Sequence, residues 1–328
     1  MKAIVCEKYG GPEVLEMREV EKPTPKENEV LVRVYASSVN PAEWYAMTGI
    51  FIARLMGGGF TKPKEARLGT DFSGVVESVG SAITQFKPGD EVFGARSGAF
   101  AEYVCKQEET LMHKPANVTF EQAAAVPIAA ITALQGLRDY GQIQPGQKVL
   151  INGASGGVGT FAVQIAKALG AHVTAVCSTR NVEQARSLGA EVVVDYKQED
   201  FTRRSEKYDL LLDNAGTRSW AEYKRVLKPD ARFVIVGAPK GNPWIGPLSH
   251  VIKVNLGAFG ASQKVLFFIA KFNRADFIVL RDLMAEGKVK PVVEKTYPFA
   301  NIAEAMRHLG TGHAQGKIVV TMGVNGKS

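Results

Sequence analysis

The segment from Gly153 to Gly159 has the composition of a phosphate-binding turn. It reads Gly-Ala-Ser-Gly-Gly-Val-Gly, follows the apolar run 149–151 and precedes a predicted amphipathic helix over residues 160–169. Glycines let the backbone turn tightly against a pyrophosphate, and a helix N-terminus offers it free N–H groups. Between a strand and a helix this pattern predicts dinucleotide binding, although Ala154 stands where the usual pattern has its first glycine. The predicted binding residues are Ala154, Ser155, Gly156, Gly157, Val158 and Gly159. A glycine turn without a ligand is the alternative.

The end of the next predicted strand indicates which dinucleotide is bound. An NAD-selective site places a carboxylate about 20 residues past the glycines, where it accepts hydrogen bonds from the ribose 2′-hydroxyl. Here residues 177–181 read Cys-Ser-Thr-Arg-Asn, and no acid occurs before Glu183. The Ser178 hydroxyl and the Arg180 guanidinium suit a 2′-phosphate, since arginine offers a fixed fork of donors. The sequence therefore predicts NADPH. The alternative is that Arg180 only caps or solvates the following helix.

Composition limits the class of protein. The 328 residues, 45% hydrophobic and 22% charged, amount to about two ordinary globular domains, which excludes disordered and fibrous chains. The three cysteines are scattered, so neither a disulfide framework nor a cysteine-based zinc knuckle is expected. The net charge of +7 is spread along the chain, which argues against a nucleic-acid partner and favours a basic surface that attracts an anionic cofactor.

The chain carries no apolar run long enough for a membrane span. The longest one, residues 265–270, is far short of the roughly 18 residues required, and residues 1–5 begin as a strand rather than a leader. We therefore expect a cytoplasmic protein.

The predicted secondary structure differs between the first third of the chain and the rest. The first third alternates short strands with Gly- and Pro-containing turns, which predicts a small, mostly antiparallel β unit. From about residue 120 an Ala-rich helical stretch over 121–140 leads into short apolar runs separated by helix-length segments, which predicts a doubly wound parallel sheet. The predicted strands of the first part are 2–6, 14–20, 29–39, 72–79, 91–94 and 100–106, and the later runs are 149–151, 173–176, 192–194, 210–212 and 233–236.

The C-terminal part is predicted to return to the first unit. A helix over 275–286 is followed by strands at 292–297 and 317–322, with a helix over 301–309 between them. We therefore predict one domain from residues 1–120 plus 271–328 and a second from 121–270. Residues 265–270 are predicted as the last strand of the parallel sheet, and because an apolar edge invites pairing with its twin, we predict a homodimer.

Several motifs together resemble the medium-chain dehydrogenase/reductase superfamily, specifically its zinc-independent quinone oxidoreductase branch. They are residues 9–15 (Tyr-Gly-Gly-Pro-Glu-Val-Leu), 38–41 (Ser-Val-Asn-Pro), 89–92 (Gly-Asp-Glu-Val), the glycine loop and 316–320 (Gly-Lys-Ile-Val-Val). Residues 177–181 and 313–317 are further similar to chloroplast-envelope and mitochondrial quinone reductase homologues. The resemblance covers nearly the whole chain and implies a Rossmann unit, of the α/β class, inserted into a GroES-like unit.

The resemblance also locates the positions at which zinc-dependent members bind their metal. This chain has Asn40, Thr70 and Ile128 there, and only Ala95, Arg96 and Ser97 where a four-cysteine lobe would lie. Zinc requires thiolate, imidazole or carboxylate donors. No metal site is therefore expected.

The remaining site residues are implied by the resemblance. Asn40 and Tyr45 lie on the loop that faces the nicotinamide in such proteins: the Asn40 amide donates to the substrate oxygen or the ribose, and the Tyr45 phenol donates a proton or only lines the pocket while water supplies it. The other expected cofactor contacts are Thr132 at the nicotinamide, Tyr196 at the adenosine phosphate, Lys317 at the pyrophosphate, Asn214 after the fourth strand, and Gly237. Two roles are open for Asp213, a catalytic acid or the residue that ends the fourth strand beside the cofactor, and the second is favoured.

Together these features predict an NADPH-dependent reductase of a quinone or of the activated C=C bond in an α,β-unsaturated carbonyl. The apolar segment 51–60, either a mobile lid beside a glycine hinge or a surface loop, favours a small apolar substrate. Two alternatives remain at this point: an alcohol dehydrogenase or aldehyde reductase of the same superfamily, and an NADPH-binding structural, crystallin-like or RNA-binding protein.

Overall fold

The chain forms two compact units. The structure, a computed structural model, describes residues 1–51, 54–238, 245–246 and 248–323. Unit 1 contains Met1–Ile128 and Phe272–Ser328, and unit 2 contains Ala129–Lys271. The chain therefore leaves unit 1 once and returns to it.

Unit 1 is built on a seven-stranded sheet, with a separate antiparallel pair β1–β2. The long strand β3 is central because it pairs with β4 on one side and with β6 and β15 on the other, and every pairing in this sheet is antiparallel except that of β14 with β15. The predicted antiparallel unit and the return of the C-terminal strands to it are confirmed. The strands are β1 (Lys2–Val5), β2 (Glu16–Glu19), β3 (Glu29–Ser38), β4 (Asp71–Val79), β5 (Glu91–Ala95), β6 (Tyr103–Gln107), β7 (Leu111–His113), β14 (Val293–Pro298) and β15 (Lys317–Thr321).

Unit 2 is a six-stranded sheet in which every pairing is parallel. Its order, β10-β9-β8-β11-β12-β13, reverses direction between β8 and β11, so the two halves of the chain wind outward from this point. Ligands of such sheets bind at the carboxyl ends of the strands beside that reversal. The predicted doubly wound sheet is confirmed. The strands are β8 (Lys148–Asn152), β9 (His172–Cys177), β10 (Val192–Asp195), β11 (Tyr208–Asp213), β12 (Leu227–Ile235) and β13 (Lys264–Phe267).

Nine α-helices connect these strands in the described part of the chain. They are α1 (Pro41–Thr48), α2 (Phe120–Ala124), α3 (Pro127–Gln135), α4 (Gly157–Ala168), α5 (Val182–Ser187), α6 (Trp220–Tyr223), α7 (Leu248–Gly257), α8 (Arg274–Ala285) and α9 (Ile302–Gly310). Of the helices that the structure describes, none combines the length and the apolarity needed to cross a bilayer.

The helical stretch predicted over residues 121–140 is helical over most of its length but is not one continuous helix. The structure divides it into α2, α3 and a wider helical turn over Gly136–Tyr140. Pro127 begins α3 because proline lacks a backbone N–H and its ring excludes it from a helix interior but suits a first turn.

Candidate active site

The glycine loop is held in a tight turn at the end of β8. Gly153 has φ +74°, its carbonyl accepts from Gly156 N (3.3 Å), and Ala154 N donates to the Val176 carbonyl on β9 (3.0 Å). A Cβ on Gly159 would lie 2.2 Å from the Gly153 carbonyl oxygen, so only glycine fits there. The loop therefore directs the N-terminus of α4 over the carboxyl end of the sheet.

The N-terminus of α4 has the features of an anion-binding site. Within the described chain, the amides of Gly157, Val158 and Gly159 have no acceptor, and the first turn of α4 carries no acidic residue. Unpaired amides and the helix dipole attract a phosphate, and the half-exposed loop leaves it room. The amides therefore fit the pyrophosphate of a dinucleotide.

The end of β9 brings three further predicted residues together. Ser178 precedes the short turn Thr179–Asn181, which carries Arg180 in an exposed position. Tyr196, which follows β10, donates its amide to the Cys177 carbonyl (3.0 Å), and its ring is 45% exposed. Ser178, Arg180 and Tyr196 thus surround the same corner of the sheet.

Asn181 links this corner to the glycine loop, a role that sequence reasoning missed. Its side chain is buried and donates to Ser155 Oγ (2.9 Å) and Ser178 Oγ (3.2 Å). The signal was present, because Asn181 ends the polar segment that follows β9. Asn181 is a positioning residue for both loops.

Asp213 anchors the turn that follows β11. Its Oδ1 accepts from Ala215 N (3.2 Å) and Gly216 N (2.9 Å), and its Oδ2 accepts from the Tyr223 hydroxyl (2.7 Å). The carboxylate is fully buried, and burial together with this negative charge raises the pKa of Tyr223. A carboxylate with these fixed partners holds the backbone in place and is not arranged as a proton donor.

The anchored turn presents Asn214. Its Nδ2 donates to the Asn152 carbonyl (3.1 Å), whereas its buried Oδ1 has no partner among the described residues. A Cβ on Gly237 would lie 2.3 Å from the Asn214 carbonyl oxygen, so glycine is required there as well. An orphaned acceptor beside the glycine loop fits a ribose hydroxyl. Thr132 lies half-buried on α3, and its nicotinamide contact stays a prediction.

In unit 1 a buried polar cluster lies at the start of β4. The Asn40 Nδ2 donates to Asp71 Oδ2 (3.1 Å), the Lys317 ammonium donates to Asn40 Oδ1, and Lys317 Nζ lies 3.7 Å from Asp71 Oδ2. All three residues are at most 4% exposed. Burial raises the pKa of Asp71 and lowers the pKa of Lys317, and their mutual attraction partly offsets both shifts.

Two predicted contacts involve this cluster, and both stay predictions. Asn40 is predicted to bind substrate or ribose, and in this structure both ends of its amide are bonded inside unit 1. Lys317 is predicted at the pyrophosphate, and here its ammonium is buried against Asn40 and Asp71. Asp71, which sequence reasoning did not assign, explains these bonds, because a fully buried carboxylate requires a cation and hydrogen-bond donors.

Glu43 completes the cluster and was also missed. It is 3% exposed, its Oε2 accepts from Asn40 N (2.7 Å), and its Oε1 has no partner in the described chain. Burial, with the adjacent Asp71 charge, raises the pKa of Glu43 to about 7. Glu43 therefore fixes the start of α1.

The donor set at the expected metal positions does not fit zinc. Asn40 Oδ1 is bonded to an ammonium, which would repel a metal ion, while Thr70 and Ile128 offer a hydroxyl and a hydrocarbon. Over the described residues, no three His, Cys, Asp or Glu side chains are grouped as metal ligands.

Tyr45, the predicted proton donor, lies on α1. Its side chain is half-buried, burial raises its pKa, and its hydroxyl bonds to no residue that the structure describes. A neutral, uncommitted phenol can donate a proton to a nearby oxyanion or carbanion.

Residues 51–60, predicted as a mobile lid or a surface loop, are held at their C-terminal end by contacts with Tyr9. The Tyr9 hydroxyl lies within hydrogen-bond distance of the Gly58 and Gly59 carbonyl oxygens (2.7 and 2.6 Å) and shares its one proton between them, and the Arg54 guanidinium lies 4.2 Å from the Tyr9 ring centroid. Phe51, Leu55 and Phe60 are exposed apolar side chains in this segment, and Ile52 and Ala53 lie outside the described residues.

The fold and the site define a dinucleotide-binding oxidoreductase of the medium-chain dehydrogenase/reductase class. Residues 26–116 match the model of the alcohol dehydrogenase GroES-like domain, and residues 188–320 match that of the zinc-binding dehydrogenase. The chain is 36% identical to the mitochondrial NAD(P)H oxidoreductase RTN4IP1 of Bos taurus over 98% of this chain and 89% of the relative. It is 33% identical to the chloroplast envelope quinone oxidoreductase homolog of Arabidopsis thaliana, over 98% of each chain. The chain belongs to the quinone oxidoreductase branch of that superfamily.

Solved structures agree with this assignment. The quinone oxidoreductase of Coxiella burnetii superposes with a TM-score of 0.83 at 30% identity, over 98% of this chain and 99% of the other. The Escherichia coli quinone oxidoreductase complexed with NADPH gives 0.82 at 28% identity, over 98% and 100%.

The relatives overturn the expected cytoplasmic location. RTN4IP1 is named as mitochondrial, and the relatives from Arabidopsis thaliana and Spinacia oleracea are named as chloroplast proteins. The expectation rested on the strand-like pattern of residues 1–5, which does not determine location.

Proposed function

We propose that this protein is an NADPH-dependent reductase of quinones and of the activated C=C bond in α,β-unsaturated carbonyl compounds. The observation that carries the proposal is the row of unpaired amides at the start of α4, beside a corner that holds Arg180 and no carboxylate before Glu183. One relative, the NADPH-dependent alkenal/one oxidoreductase of Arabidopsis thaliana, is 33% identical over 98% of this chain and 79% of the relative.

The proposed reduction assigns a role to residues of each unit. A bound nicotinamide supplies a hydride to the polarised carbon of the substrate. The α4 amides, Ser178 and Arg180 hold the phosphates, and Asn214 orients the ribose. Tyr45 donates the proton that completes the reduction, because its phenol is neutral at pH 7 and its hydroxyl bonds to no other side chain or carbonyl in the described part of the chain. Asn40, Asp71 and Lys317 hold the start of α1, which carries Tyr45.

The test is an NADPH-oxidation screen across quinones, alkenals, cyclic enones, aldehydes and alcohols, with NADH in parallel and metal content measured. We expect turnover of quinones or enones with NADPH at substoichiometric zinc. Stoichiometric zinc with chelator-sensitive alcohol oxidation would instead establish an alcohol dehydrogenase. Tight NADPH binding without oxidation on any substrate would establish a binding protein.

Replacing Tyr45→Phe tests the proton donor. We expect kcat on a good enone to fall about 100-fold, the lower end of general acid contributions, with the NADPH KM little changed. Steady-state kinetics with Tyr35→Phe as the control measure this, because Tyr35 stacks on Phe120 in unit 1 (ring centroids 4.7 Å apart). If turnover persists in Tyr45→Phe, water supplies the proton.

We also propose a homodimer through the β13 edge of unit 2. In the described chain β13 pairs only with β12, and the neighbouring apolar side chains of Ile269, Leu256 and Phe259 are 65%, 73% and 95% exposed. A second copy would pair with the outer edge of β13 and cover these side chains by the same contact.

Sedimentation analysis tests the dimer. We expect wild type at twice 35.5 kDa and Leu256→Asp or Ile269→Asp shifted toward 35.5 kDa. Ile278→Asp is the control, since Ile278 is an exposed apolar residue of unit 1 (37%). A wild type that sediments as a monomer at micromolar concentration contradicts the proposal.

A further inference from the structure

Two arginines and a lysine lie on or beside the loop that follows β5 in unit 1, and the Arg96 guanidinium is 5.5 Å from the Phe272 ring centroid. The loop, residues 96–98, is closed by hydrogen bonds from Arg96 N to the Thr70 carbonyl (2.9 Å) and from Ala99 N to the Gly69 carbonyl (3.1 Å). Lys106 on β6 donates its ammonium to the Ser97 carbonyl (2.6 Å). Arg67 lies beside Gly98, where an added Cβ would be 4.0 Å from the Arg67 Cβ. We call Arg67, Arg96, Lys106 and residues 96–98 the basic loop cluster.

The basic loop cluster lacks a counter-charge. In the part of the chain that the structure describes, none of its three cations lies within ion-pair distance of a carboxylate. Glu29 is the acid that acts on Lys106, but its Oε2 accepts from the Lys26 amide (3.1 Å). Burial and the charges of Arg67 and Arg96 lower the pKa of Lys106 to about 8. A bound anion would relieve this repulsion.

The loop backbone adds donors to these charges. The amides of Ser97 and Gly98 have no acceptor among the described residues, and Gly98 has φ +92°. A Cβ at Gly98 would meet nothing nearer than 4.0 Å, so a ligand can approach the backbone closely. Successive free amides around a left-handed residue form an anion-binding concavity.

The position of the basic loop cluster indicates which molecule would bring the anionic group to it. Ala95 pairs with Asp71, so Arg96 lies one residue from the buried cluster of Asn40, Asp71 and Lys317 that supports α1 and Tyr45. Thr70, whose carbonyl accepts from Arg96, occupies the same edge. An anion at this place would lie at the residue that directly follows, in chain order, the strand residue paired with Asp71, the buried acid of the cluster at the start of α1.

We propose that the basic loop cluster binds a carboxylate or phosphate group at the far end of the substrate. This inference rests on the proposed function and names the substrate class: amphiphilic enones or quinones that carry an acidic group, in place of the neutral apolar compounds expected from the sequence.

The first experiment compares a linear alkenone that ends in a carboxylate with its methyl ester and with the phosphate monoester of the corresponding alcohol. We expect wild-type kcat/KM for both acids to exceed that for the ester about tenfold, and Arg67→Gln or Lys106→Met to abolish most of that preference. Lys87→Met is the control, because Lys87 is exposed and remote in sequence from the loop. Arg67 is exposed, so Arg67→Gln keeps the test valid if Lys106→Met does not fold.

The outcomes separate the two proposals. If wild type reduces acid and ester equally well, the cluster proposal is overturned while the reductase stands. If the variants raise the KM for NADPH instead of lowering the preference, the cluster serves the coenzyme and the proposal is again overturned.

A second readout does not depend on turnover. Calorimetry measures inorganic phosphate binding to the protein saturated with NADPH, so that the α4 amides and Arg180 are already occupied by the coenzyme. Binding that is lost on adding Lys106→Met supports the site, and binding that is absent or survives this change overturns it. If no compound in the panel is reduced, the reductase proposal fails on its own.

Discussion

Replacing Lys317→Met is expected to destabilise unit 1 by about 3–5 kcal/mol, because it leaves Asp71 as a buried carboxylate without its cation. Asp71 is fully buried, Lys317 is 4% exposed, and the ammonium also bonds to Asn40. Methionine keeps most of the side-chain volume, so loss of charge dominates over loss of packing. Chemical denaturation followed by far-ultraviolet circular dichroism measures the change, with the unfolding of unit 2 fitted as a separate transition.

A matched control and a compensating variant show whether the loss of stability comes from the buried charge. Lys22→Met removes the ion pair of Lys22 with Glu77, whose side chains are 41% and 37% exposed, and should cost no more than about 1 kcal/mol. Adding Asp71→Asn to Lys317→Met should recover part of the loss, since the buried charge is then gone. A loss below about 1 kcal/mol for Lys317→Met would show that Asp71 is neutral in the folded protein.

The fold could be predicted because most of its strands are recognisable from short local patterns of apolar residues. Runs such as residues 149–151 and 210–212 are uniformly apolar, as strands buried on both faces must be, and the structure places them as adjacent central strands. The three-residue strand β7 was missed because Leu111–His113 is too short for alternation to show. The break before α3 was missed because the Ala-rich pattern continues through Pro127.

The two parts of the site differed in how far sequence could predict them. In unit 2, parallel strands bring their carboxyl ends to one edge, so the loops at Gly153, Ser178 and Asn214 meet by topology alone. In unit 1, the hydrogen bond from Lys317 to Asn40 joins residues 277 positions apart, and no spacing rule connects them. The interior partners of Asn40 became visible only with the packed structure.

Replacing Arg180→Ala is expected to raise the KM for NADPH about 10- to 100-fold while changing the KM for NADH less than about twofold. A hydrogen bond to a charged group contributes about 1.5–3 kcal/mol, and each 1.4 kcal/mol corresponds to a factor of ten. Arg180 is exposed at the corner that Ser178 and Tyr196 share, so the change should remove phosphate recognition without disturbing a core.

Steady-state kinetics with both coenzymes measure the Arg180 effect, and Arg186→Ala is the matched control. Arg186 lies on α5, one and a half turns further along, and pairs with Glu183 (2.5 Å) at the protein surface. Its loss should leave both KM values within about twofold. An equal rise for NADPH and NADH in Arg180→Ala would show that the guanidinium supports the loop rather than the 2′-phosphate, and the preference for NADPH would then have to come from Ser178 and Tyr196.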